Sequence, residues 1–481
     1  MSKHTSFLTA CVAGGLAVIL ASDRGSLLGR SAMAIAVEPL VQQQQQPPPP
    51  QQQTVLDLDA IGKGKAFRVA VQDFSVEGGD KSLIDAARIV AEVLWADLDF
   101  EKEFYLIQRK VHASIPVAPT PESLAFDQWS QAGADGVIMA TVRPTGNEFQ
   151  VDLRLVLVRG DKRGEVRFGS AFQHCTTRNP RACAHFIADN IHKQVRGLDG
   201  VAQTRLAFAS DRDSIRMSQR RLVDGNTSRE IYISDYDGFN QRAVTANRTL
   251  SLHPTWGPDG RTLAYTSWLD GFEDVYINTL DGKPFSRPVR QPGSANWTPA
   301  FSPDGAKIAF SSNRSGDRDI WVYDRKTRAL RNITNAPGAD SAPTWSPDGV
   351  KIAFTSDRSG GNHIYIMNAD GTAVNRITHT GGDHDRPTWS MLDFIAYNSG
   401  SAPGHNISVH DLKTGQTKII TDGIGDNASP AIAPNGRHVA FATTRWGRWQ
   451  IAIISYDGQH LRQITREGTN TSPSWSRSPG R

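Results

Sequence analysis

A near-repeat returns six times in this chain, and its period restricts the fold more than any single residue does. The fullest copies resemble P-T-W-S-P-D-G-V-K-I-A-F-T-S, and successive copies start 45, 44, 44, 43 and 43 residues apart. The copies begin at Pro254, Pro299, Pro343, Pro387, Pro430 and Pro473. A fixed period of about 40–45 residues is typical of architectures in which each repeat forms one four-stranded propeller blade.

The residues within one period predict four short strands separated by turns. S-P-D-G forms a turn because Pro presets φ, Asp hydrogen-bonds locally and Gly accepts a positive φ. It joins a strand that carries a Trp to an apolar strand such as K-I-A-F-T-S, which begins at Lys351. A third strand such as I-Y-I-M-N at Ile364 and a short fourth strand at Arg376 follow. This pattern predicts one antiparallel blade per repeat, with the Trp, Phe and Ile side chains packed between blades.

The displaced ends of the repeat indicate how the ring closes. The A-F-A-S strand at Ala207 has no P-x-W strand before it, and the P-S-W-S strand at Pro473 has no A-F-x-S strand after it. Both anomalies are explained if the C-terminal strand completes the first blade, which removes two exposed sheet edges. The sequence therefore predicts an all-β six-bladed β-propeller over residues 203–481, closed by its C-terminal strand.

The chain upstream of the repeats changes composition twice. Residues 1–36 have the features of a cleavable export signal, since Lys3 and His4 precede an apolar stretch and A-x-A cleavage candidates follow it. That stretch is shorter than the roughly 20 residues that a membrane-spanning helix needs. A lipoprotein cleavage box ending at Cys11 is the less favoured alternative. Residues 37–53 form a Gln/Pro-rich tether that cannot bury a core.

Residues 54–200 have the pattern of a separate α/β N-terminal domain. A strand precedes a helix capped by Asp80, and a second strand near Phe104 precedes a helix that opens at Thr120. Three strands and a last helix opening at Asn179 complete the order β-α-β-α-β-β-β-α. This order suits one small domain of two layers.

Two cysteines remain once a signal is removed, and they suit an oxidising compartment. Cys175 and Cys183 lie eight residues apart, at the end of a strand and in the first turn of the next helix, so a disulfide between them is plausible. Together with His174 and His185 they are also a set of potential metal ligands. The spacing fits no standard zinc pattern, so we favour the disulfide, or two free thiols, over a metal.

Motifs of catalysis and of cofactor binding are missing from the sequence. It contains no G-x-S-x-G, no H-E-x-x-H, no P-loop and no Rossmann glycine fingerprint. A net charge of +4 without a dense Lys/Arg stripe gives no electrostatic case for nucleic acid. We therefore expect a monomer that is not an enzyme and binds no cofactor. We expect most of the propeller histidines to face solvent: His253, His363, His379, His384, His405 and His410.

Polar residues occupy one recurring position, just before each P-x-W strand. In a propeller this segment links the outer strand of one blade to the inner strand of the next, so all six segments converge on one rim of the central channel. Many directional hydrogen-bonding groups around a funnel suit the binding of a protein segment. The alternative is that these residues only serve turn geometry.

The chain resembles the TolB family of the Tol–Pal envelope system of Gram-negative bacteria. The resemblance is carried by R-V-A-V-Q-D-F at Arg68, by Q-T-R-L-A-F-A-S at Gln203, by I-Y-I-S-D-Y-D-G-F-N at Ile231, and by the W-S-P-D-G repeats. It covers nearly the whole chain after the predicted signal. The repeats alone also occur in other propellers, and their combination with this N-terminal domain and an export signal is what makes the resemblance specific.

The resemblance implies a non-enzymatic periplasmic scaffold that supports outer-membrane integrity and envelope constriction during cell division. Its partners would be the peptidoglycan-associated lipoprotein Pal, the inner-membrane protein TolA and other outer-membrane lipoproteins. Carried over by position, the residues facing Pal are Asn296, Trp297, Thr298, Asp340, Ser341, Asp385 and Arg386. Those facing TolA are Thr54, Val55, Leu56, Asp57, Leu58 and Asp59, which here follow the Gln/Pro tract.

The alternative function is a periplasmic propeller enzyme, such as a polysaccharide lyase or the propeller part of a peptidase system. A lyase needs a metal or a cluster of His, Arg or Lys side chains on the inner strands. The inner-strand pattern offers mainly Pro, Thr, Trp and Ser. The scaffold is therefore the preferred interpretation.

Overall fold

The computed structural model describes residues 67–78, 80–213, 228–282, 284–379, 381, 383–400 and 404–478. The predicted signal (1–36), the predicted tether (37–53) and the predicted TolA-facing segment (54–59) lie outside these residues. Within the described parts of the chain, no helix is both long enough and apolar enough to span a membrane.

The N-terminal domain contains a mixed six-stranded sheet with strand order β3-β1-β4-β5-β6, in which β2 pairs with β4. Strand β1 is parallel to both β3 and β4, whereas β4, β5 and β6 form an antiparallel meander. The strands are β1 (Arg68–Val71), β2 (Ser75–Val76), β3 (Tyr105–Leu106), β4 (Gly136–Thr145), β5 (Glu148–Leu157) and β6 (Val166–Cys175). The observed order of long strands matches the predicted pattern.

Helices cover this sheet, and side-chain caps fix where the two long ones begin. Asp80 accepts a hydrogen bond from the backbone N–H of Leu83 at 3.1 Å, and Asn179 accepts one from Ala182 at 3.2 Å. Both predicted helix starts are confirmed. The helix expected from Thr120 is instead a short 3₁₀ turn (Pro121–Ser123) followed by α3. The α-helices are α1 (Lys81–Glu101), α2 (Arg109–His112), α3 (Phe126–Gln131) and α4 (Pro180–Ile191).

Six sheets of three or four antiparallel strands form the propeller. Blade 1 contains β7 (Arg205–Ser210), β8 (Glu230–Asp235), β9 (Arg242–Ala243) and β29 (Asn470–Trp475). Blade 2 contains β10 (Ser251–Trp256), β11 (Thr262–Ser267) and β12 (Asp274–Thr279); blade 3 contains β13 (Asn296–Phe301), β14 (Lys307–Ser312), β15 (Asp319–Asp324) and β16 (Leu330–Asn332). Blade 4 contains β17 (Asp340–Trp345), β18 (Lys351–Ser356), β19 (His363–Asn368) and β20 (Asn375–Arg376). Blade 5 contains β21 (His384–Trp389), β22 (Phe394–Ser399), β23 (Asn406–Asp411) and β24 (Thr417–Ile419); blade 6 contains β25 (Asn427–Ile432), β26 (His438–Thr443), β27 (Gln450–Ser455) and β28 (Arg462–Gln463).

The C-terminal strand β29 is the innermost strand of blade 1. It runs antiparallel to β7, with Asn470 opposite Ser210 and Trp475 opposite Leu206. The two ends of the propeller sequence therefore meet in one sheet. The predicted fold class, an α/β N-terminal domain with an all-β six-bladed propeller, is confirmed.

Every inner strand carries the same irregularity at its third residue. The pairing register shifts at this point in all six blades. The third residues are His253, Thr298, Ala342, Arg386, Ser429 and Ser472, and their φ angles lie between 46° and 55°. Such bulges redirect side chains, and here they do so around the channel axis.

The second half of α1 joins the N-terminal domain to the propeller. The buried carboxylate of Glu101 accepts hydrogen bonds from Arg437 Nη2 at 2.7 Å and from the backbone N–H of Val201 at 3.0 Å, and it lies 3.2 Å from His438 Nε2. Phe100 packs on the rings of Tyr236 and His438, with centroid distances of 4.8 and 4.6 Å. One helix thus contributes to the N-terminal core and to the contact with the propeller.

Candidate partner-binding site at the channel mouth

The six inner strands surround a channel along the axis of the ring. Their third to sixth residues line its middle, where a cavity of about 240 Å³ is bordered by the proline of every repeat. At the end where the strands leave the axis, a wider opening of about 710 Å³ is lined by Trp256, Trp345, Trp389 and Trp475 and by residues of the segment that enters the propeller. We call this second opening the Trp-lined vestibule.

The opposite end holds a pocket of about 160 Å³ that we call the channel mouth. Five of the seven predicted Pal-facing residues line it: Trp297, Thr298, Ser341, Asp385 and Arg386. His253, Ser311, Arg318 and Ala342 complete its wall. These residues come from blades 2, 3, 4 and 5. They meet because the second and third residues of each inner strand converge on the axis.

Contacts within blade 3 and between blades 4 and 5 hold the polar groups of the mouth in place. The guanidinium of Arg318 lies 4.7 Å from the ring centroid of Trp297, within range of a cation–π interaction. Thr298 Oγ1 lies 3.0 Å from Ser311 Oγ, and Asp385 Oδ1 accepts from Thr355 Oγ1 at 2.9 Å. The carboxylate of Asp385 remains about one-third exposed, so it retains acceptor capacity toward solvent.

Arg386 reaches across the channel to the opposite blade. Its Nη1 lies 3.0 Å from His253 Nδ1 and its Nη2 lies 3.3 Å from His253 Nε2. Burial, together with the positive charges of Arg386 and Arg229, holds the pKa of His253 well below its usual value. The imidazole is therefore neutral near pH 7 and accepts a hydrogen bond from the guanidinium.

Two of the predicted contact residues, Asn296 and Asp340, are buried and do not face the mouth. Asn296 Oδ1 accepts from Ser312 and Arg314 at 2.8 and 2.9 Å. Both oxygens of Asp340 accept from Arg358, at 2.9 and 2.8 Å. The prediction that these two residues contact a partner directly is therefore corrected.

The physical reason for this correction is a clamp that recurs in three blades. An Arg two residues after the last Ser of the A-F-x-S strand bonds both that Ser and the first residue of the inner strand. Arg212 bonds Ser210 and Asn470 in the same way. The arginines of the clamp are Arg212, Arg314 and Arg358. The first residue of the inner strand is thus part of the blade framework.

The propeller histidines are also less exposed than expected. His363, His384 and His410 are buried, whereas His379 is the exposed one of the six. Half-buried His405 lies between Asp426 Oδ1 at 2.8 Å and Asp383 Oδ2 at 3.2 Å. Burial lowers its pKa, but the hydrogen bonds to both carboxylates outweigh that effect and raise it.

A second polar cluster lies inside the contact between the two domains. His185 Nδ1 lies 2.8 Å from Asp97 Oδ2, and Tyr236 donates to Asp97 Oδ1 at 2.7 Å. Asp237, which is close to both, is paired with Arg181. Cys175 and Cys183 are joined in a disulfide, so their sulfurs are not available as thiolate ligands beside His174 and His185.

The sequence interpretation missed His253 and Arg318 as members of the mouth. A signal existed for His253, because it is the third residue of its inner strand, as Arg386 is. The repeats that contain these two residues are three copies apart, and in a ring of six such copies face each other. Arg318 precedes a third strand, and nothing in the repeat pattern marks it.

The fold and the site define a class: a six-bladed β-propeller protein with an α/β N-terminal domain and a polar channel mouth. Residues 192–479 match the TolB beta propeller domain family, and residues 60–163 match the TolB amino-terminal domain family. The chain belongs to the TolB family, and the predicted resemblance is confirmed.

Individual relatives agree with this assignment. The Tol-Pal system protein TolB of Bordetella avium is 37% identical over 424 residues, which cover 87% of this chain and 90% of that protein. The protein of the same description from Thioalkalivibrio sulfidiphilus is 40% identical over 387 residues, 77% of this chain and 85% of that protein. The crystal structure of TolB from Acinetobacter baumannii superposes with a TM-score of 0.72 at 24% identity, covering 86% of this chain and 97% of that one, which shows the shared fold.

Proposed function

We propose that this protein is a non-enzymatic periplasmic scaffold of the Tol–Pal system. The channel mouth binds the peptidoglycan-associated lipoprotein Pal, and the N-terminal segment 54–59 binds TolA. Through these contacts the protein supports outer-membrane integrity and envelope constriction during division. Two findings support this proposal: the chain belongs to the TolB family, and its relatives are described as Tol-Pal system proteins.

The observation that carries the proposal is the composition of the mouth. An aromatic ring, a hydroxyl, a partly exposed carboxylate and two guanidinium groups converge on one pocket: Trp297, Ser341, Asp385, Arg318 and Arg386. Aromatic and arginine side chains are enriched where proteins bind each other, and Trp and Arg are frequent hot spots. Four of the five groups stand on inner strands and Arg318 packs on the ring of Trp297, so little side-chain freedom is lost when a partner binds.

Calorimetric titration with the soluble domain of Pal from the same bacterium tests the mouth. Trp297→Ala and Asp385→Ala are expected to weaken binding by about tenfold or more, as for buried hot-spot contacts. Met391→Ala is the matched control, because Met391 is exposed and borders the Trp-lined vestibule. Circular dichroism would verify that each variant is folded.

Two results would contradict the proposal. One is that the wild-type protein does not bind the Pal domain at all. The other is that the mouth variants and Met391→Ala bind equally well. Asp340→Ala is unsuitable for this test, because removing the carboxylate leaves the guanidinium of Arg358 without its buried acceptor.

The two proposed partner sites are separable by deletion. A chain that lacks residues 54–59 is expected to retain Pal binding and to lose capture of TolA in a pull-down from envelope extracts. An extended segment of this kind can add to the edge of a partner's sheet. Unchanged capture of TolA by the deleted chain would remove that part of the proposal.

A further inference from the structure

A groove of about 950 Å³ runs between the outer strands of blades 1 and 6 and shares no lining residue with the channel mouth. One wall is the turn from Asp237 to Gln241 together with β9, and the other is β28 with the residues on either side of it. At the floor the two blades come close, since a Cβ on Gly238 would lie 2.5 Å from the carbonyl oxygen of Ile464. We call this feature the blade 1–6 groove.

Arginines dominate the charge of the blade 1–6 groove. Arg212, Arg242, Arg462 and Arg466 line it, against Asp237 and Glu467. Asp237 is almost fully buried and is already paired with Arg181, so its charge is neutralised. Arg212 serves the clamp of blade 1. The groove therefore has an excess of positive charge.

Two of these arginines are exposed and engage no acceptor. Among the described residues, the side chains of Arg242 and Arg466 make no hydrogen bond and no ion pair, and they stand on opposite walls. Arg462 lies on the same wall as Arg466, with its guanidinium 5.7 Å from the ring of Phe100 in α1. Guanidinium groups placed on both sides of a groove suit carboxylates on an extended chain.

Exposed apolar side chains stand beside these charges. Phe239 is 54% exposed and Leu461 is 36% exposed, one on each wall. The guanidinium of Arg181 lies 3.9 Å from the ring centroid of Phe239, which fixes that ring. Fixed aromatic and aliphatic groups next to arginine are typical of protein-binding surfaces and not of a solvated face.

We propose that the blade 1–6 groove binds an acidic, extended segment of a protein partner, in which carboxylates alternate with apolar side chains. The carboxylates pair with Arg242 and Arg466, and the apolar side chains pack on Phe239 and Leu461. A concave groove between two blade edges fits a single chain better than a flat anionic surface. This surface is distinct from the channel mouth and does not depend on the function proposed for it.

The probe for the test is a fluorescently labelled short peptide in which Glu alternates with Leu, measured by anisotropy at neutral pH. The wild-type protein is expected to bind it, with affinity that falls as salt is added because charge pairs carry the binding. The double variant R242E/R466E is expected to bind about tenfold or more weakly. A peptide with Gln in place of Glu is expected not to bind measurably.

The matched control is R261E/R448E, which changes the net charge equally at two exposed arginines outside the groove. A photo-crosslinking amino acid in place of Leu461 should capture the peptide, whereas the same replacement of exposed Val350 in blade 4 should not. Equal loss of affinity in both double variants, no binding by the wild-type protein, or equal capture at both positions would overturn the proposal. Retained Pal binding by R242E/R466E distinguishes this surface from the mouth.

Discussion

At the scale of single residues, Glu101 is the side chain that most directly ties the two domains together. Its carboxylate is almost fully buried between Arg437 and His438 of the propeller. Burial alone would raise the pKa of Glu101, but hydrogen bonding to His438 and the charges of His438, His192 and Arg437 outweigh it and lower the pKa to about 2. The ionised carboxylate is thus strongly favoured in the folded protein.

Replacing Glu101 should therefore weaken the fold measurably. Glu101→Gln removes one partner of a buried charge pair and leaves Arg437 with only the carboxylate of Glu103, 3.8 Å away, which costs about 3 kcal/mol of unfolding free energy. Urea denaturation at pH 7 measures this change. Glu92→Gln is the control, since Glu92 lies on the same helix in an exposed pair with Arg88, and we expect less than about 0.5 kcal/mol for it.

The pH dependence of this stabilisation follows from the direction in which folding shifts the pKa of Glu101. A carboxyl group whose pKa is lower in the folded state stabilises the protein above its unfolded pKa, and that contribution is lost as pH falls through the folded value. For the carboxyl group of Glu101 this pH window runs from its ordinary pKa of 4.5 down to about 2. The difference in unfolding free energy between wild-type protein and Glu101→Gln should shrink across that window, and a constant difference would contradict this account.

Sequence patterns alone had limited power at the residue scale. The sequence predicts that Asn296 and Asp340 contact a partner. A polar residue ahead of a strand is equally compatible with such a contact and with a buried clamp. Only the position of Arg314 and Arg358 in space separates the two cases. The repeat period predicts that the segments containing Trp297, Ser341 and Asp385 lie at one rim of the channel, and the family resemblance selects these residues within them.

At the scale of secondary-structure elements, the disulfide links the end of β6 to the first turn of α4. The two cysteines are eight residues apart, so the link closes a short loop beside the N-terminal core. Chain-entropy reasoning assigns about 2.5 kcal/mol to a loop of this length. Strand β6 is the edge of its sheet, and the link therefore holds an edge to a helix.

The double variant C175S/C183S should lower the unfolding free energy by about 2.5 kcal/mol in thermal or urea denaturation. Reduction of the wild-type protein should give a similar loss, and reduction of the double variant should have no effect. A double variant as stable as the oxidised wild-type protein would show that the link contributes nothing.

Elements were predictable to the extent that local sequence determines them. The turns at S-P-D-G and the caps at Asp80 and Asn179 depend on nearby atoms, and they were correct. The bulge in each inner strand was not predictable, because residues such as Thr298 and Ala342 disfavour a positive φ. Packing around the ring imposes that conformation against local preference.

At the scale of the whole molecule, stability depends on closure by β29. This strand supplies Trp475, whose indole Nε1 donates to Thr204 at 2.7 Å, and it covers the inner edge of β7. Without it, β7 presents unpaired backbone groups to solvent and to other chains. The first blade and the last residues of the propeller therefore fold as one unit.

A chain that ends at Thr469 tests this dependence. Loss of β29 should reduce the unfolding free energy by about 3–5 kcal/mol, since burial of the Trp side chain alone has that magnitude, and should promote self-association. A chain that ends at Ser478 keeps the strand and is the control. Light scattering and urea denaturation measure both effects, and equal behaviour of the two chains would contradict the argument.

The six-fold architecture was predictable because the repeat occurs often enough to be counted, and its displaced ends indicated the closing strand. The attachment of α1 to the propeller was not predictable. It depends on Glu101 meeting Arg437 and His438, which are more than three hundred residues away in sequence and carry no shared motif.

The bridge between Arg386 and His253 gives the ring axis a floor. A side chain that enters from the mouth meets the guanidinium before it reaches the prolines of the inner strands. The mouth is therefore a shallow pocket with a charged floor. Short polar groups and flat aromatic groups are expected to fit it better than long side chains.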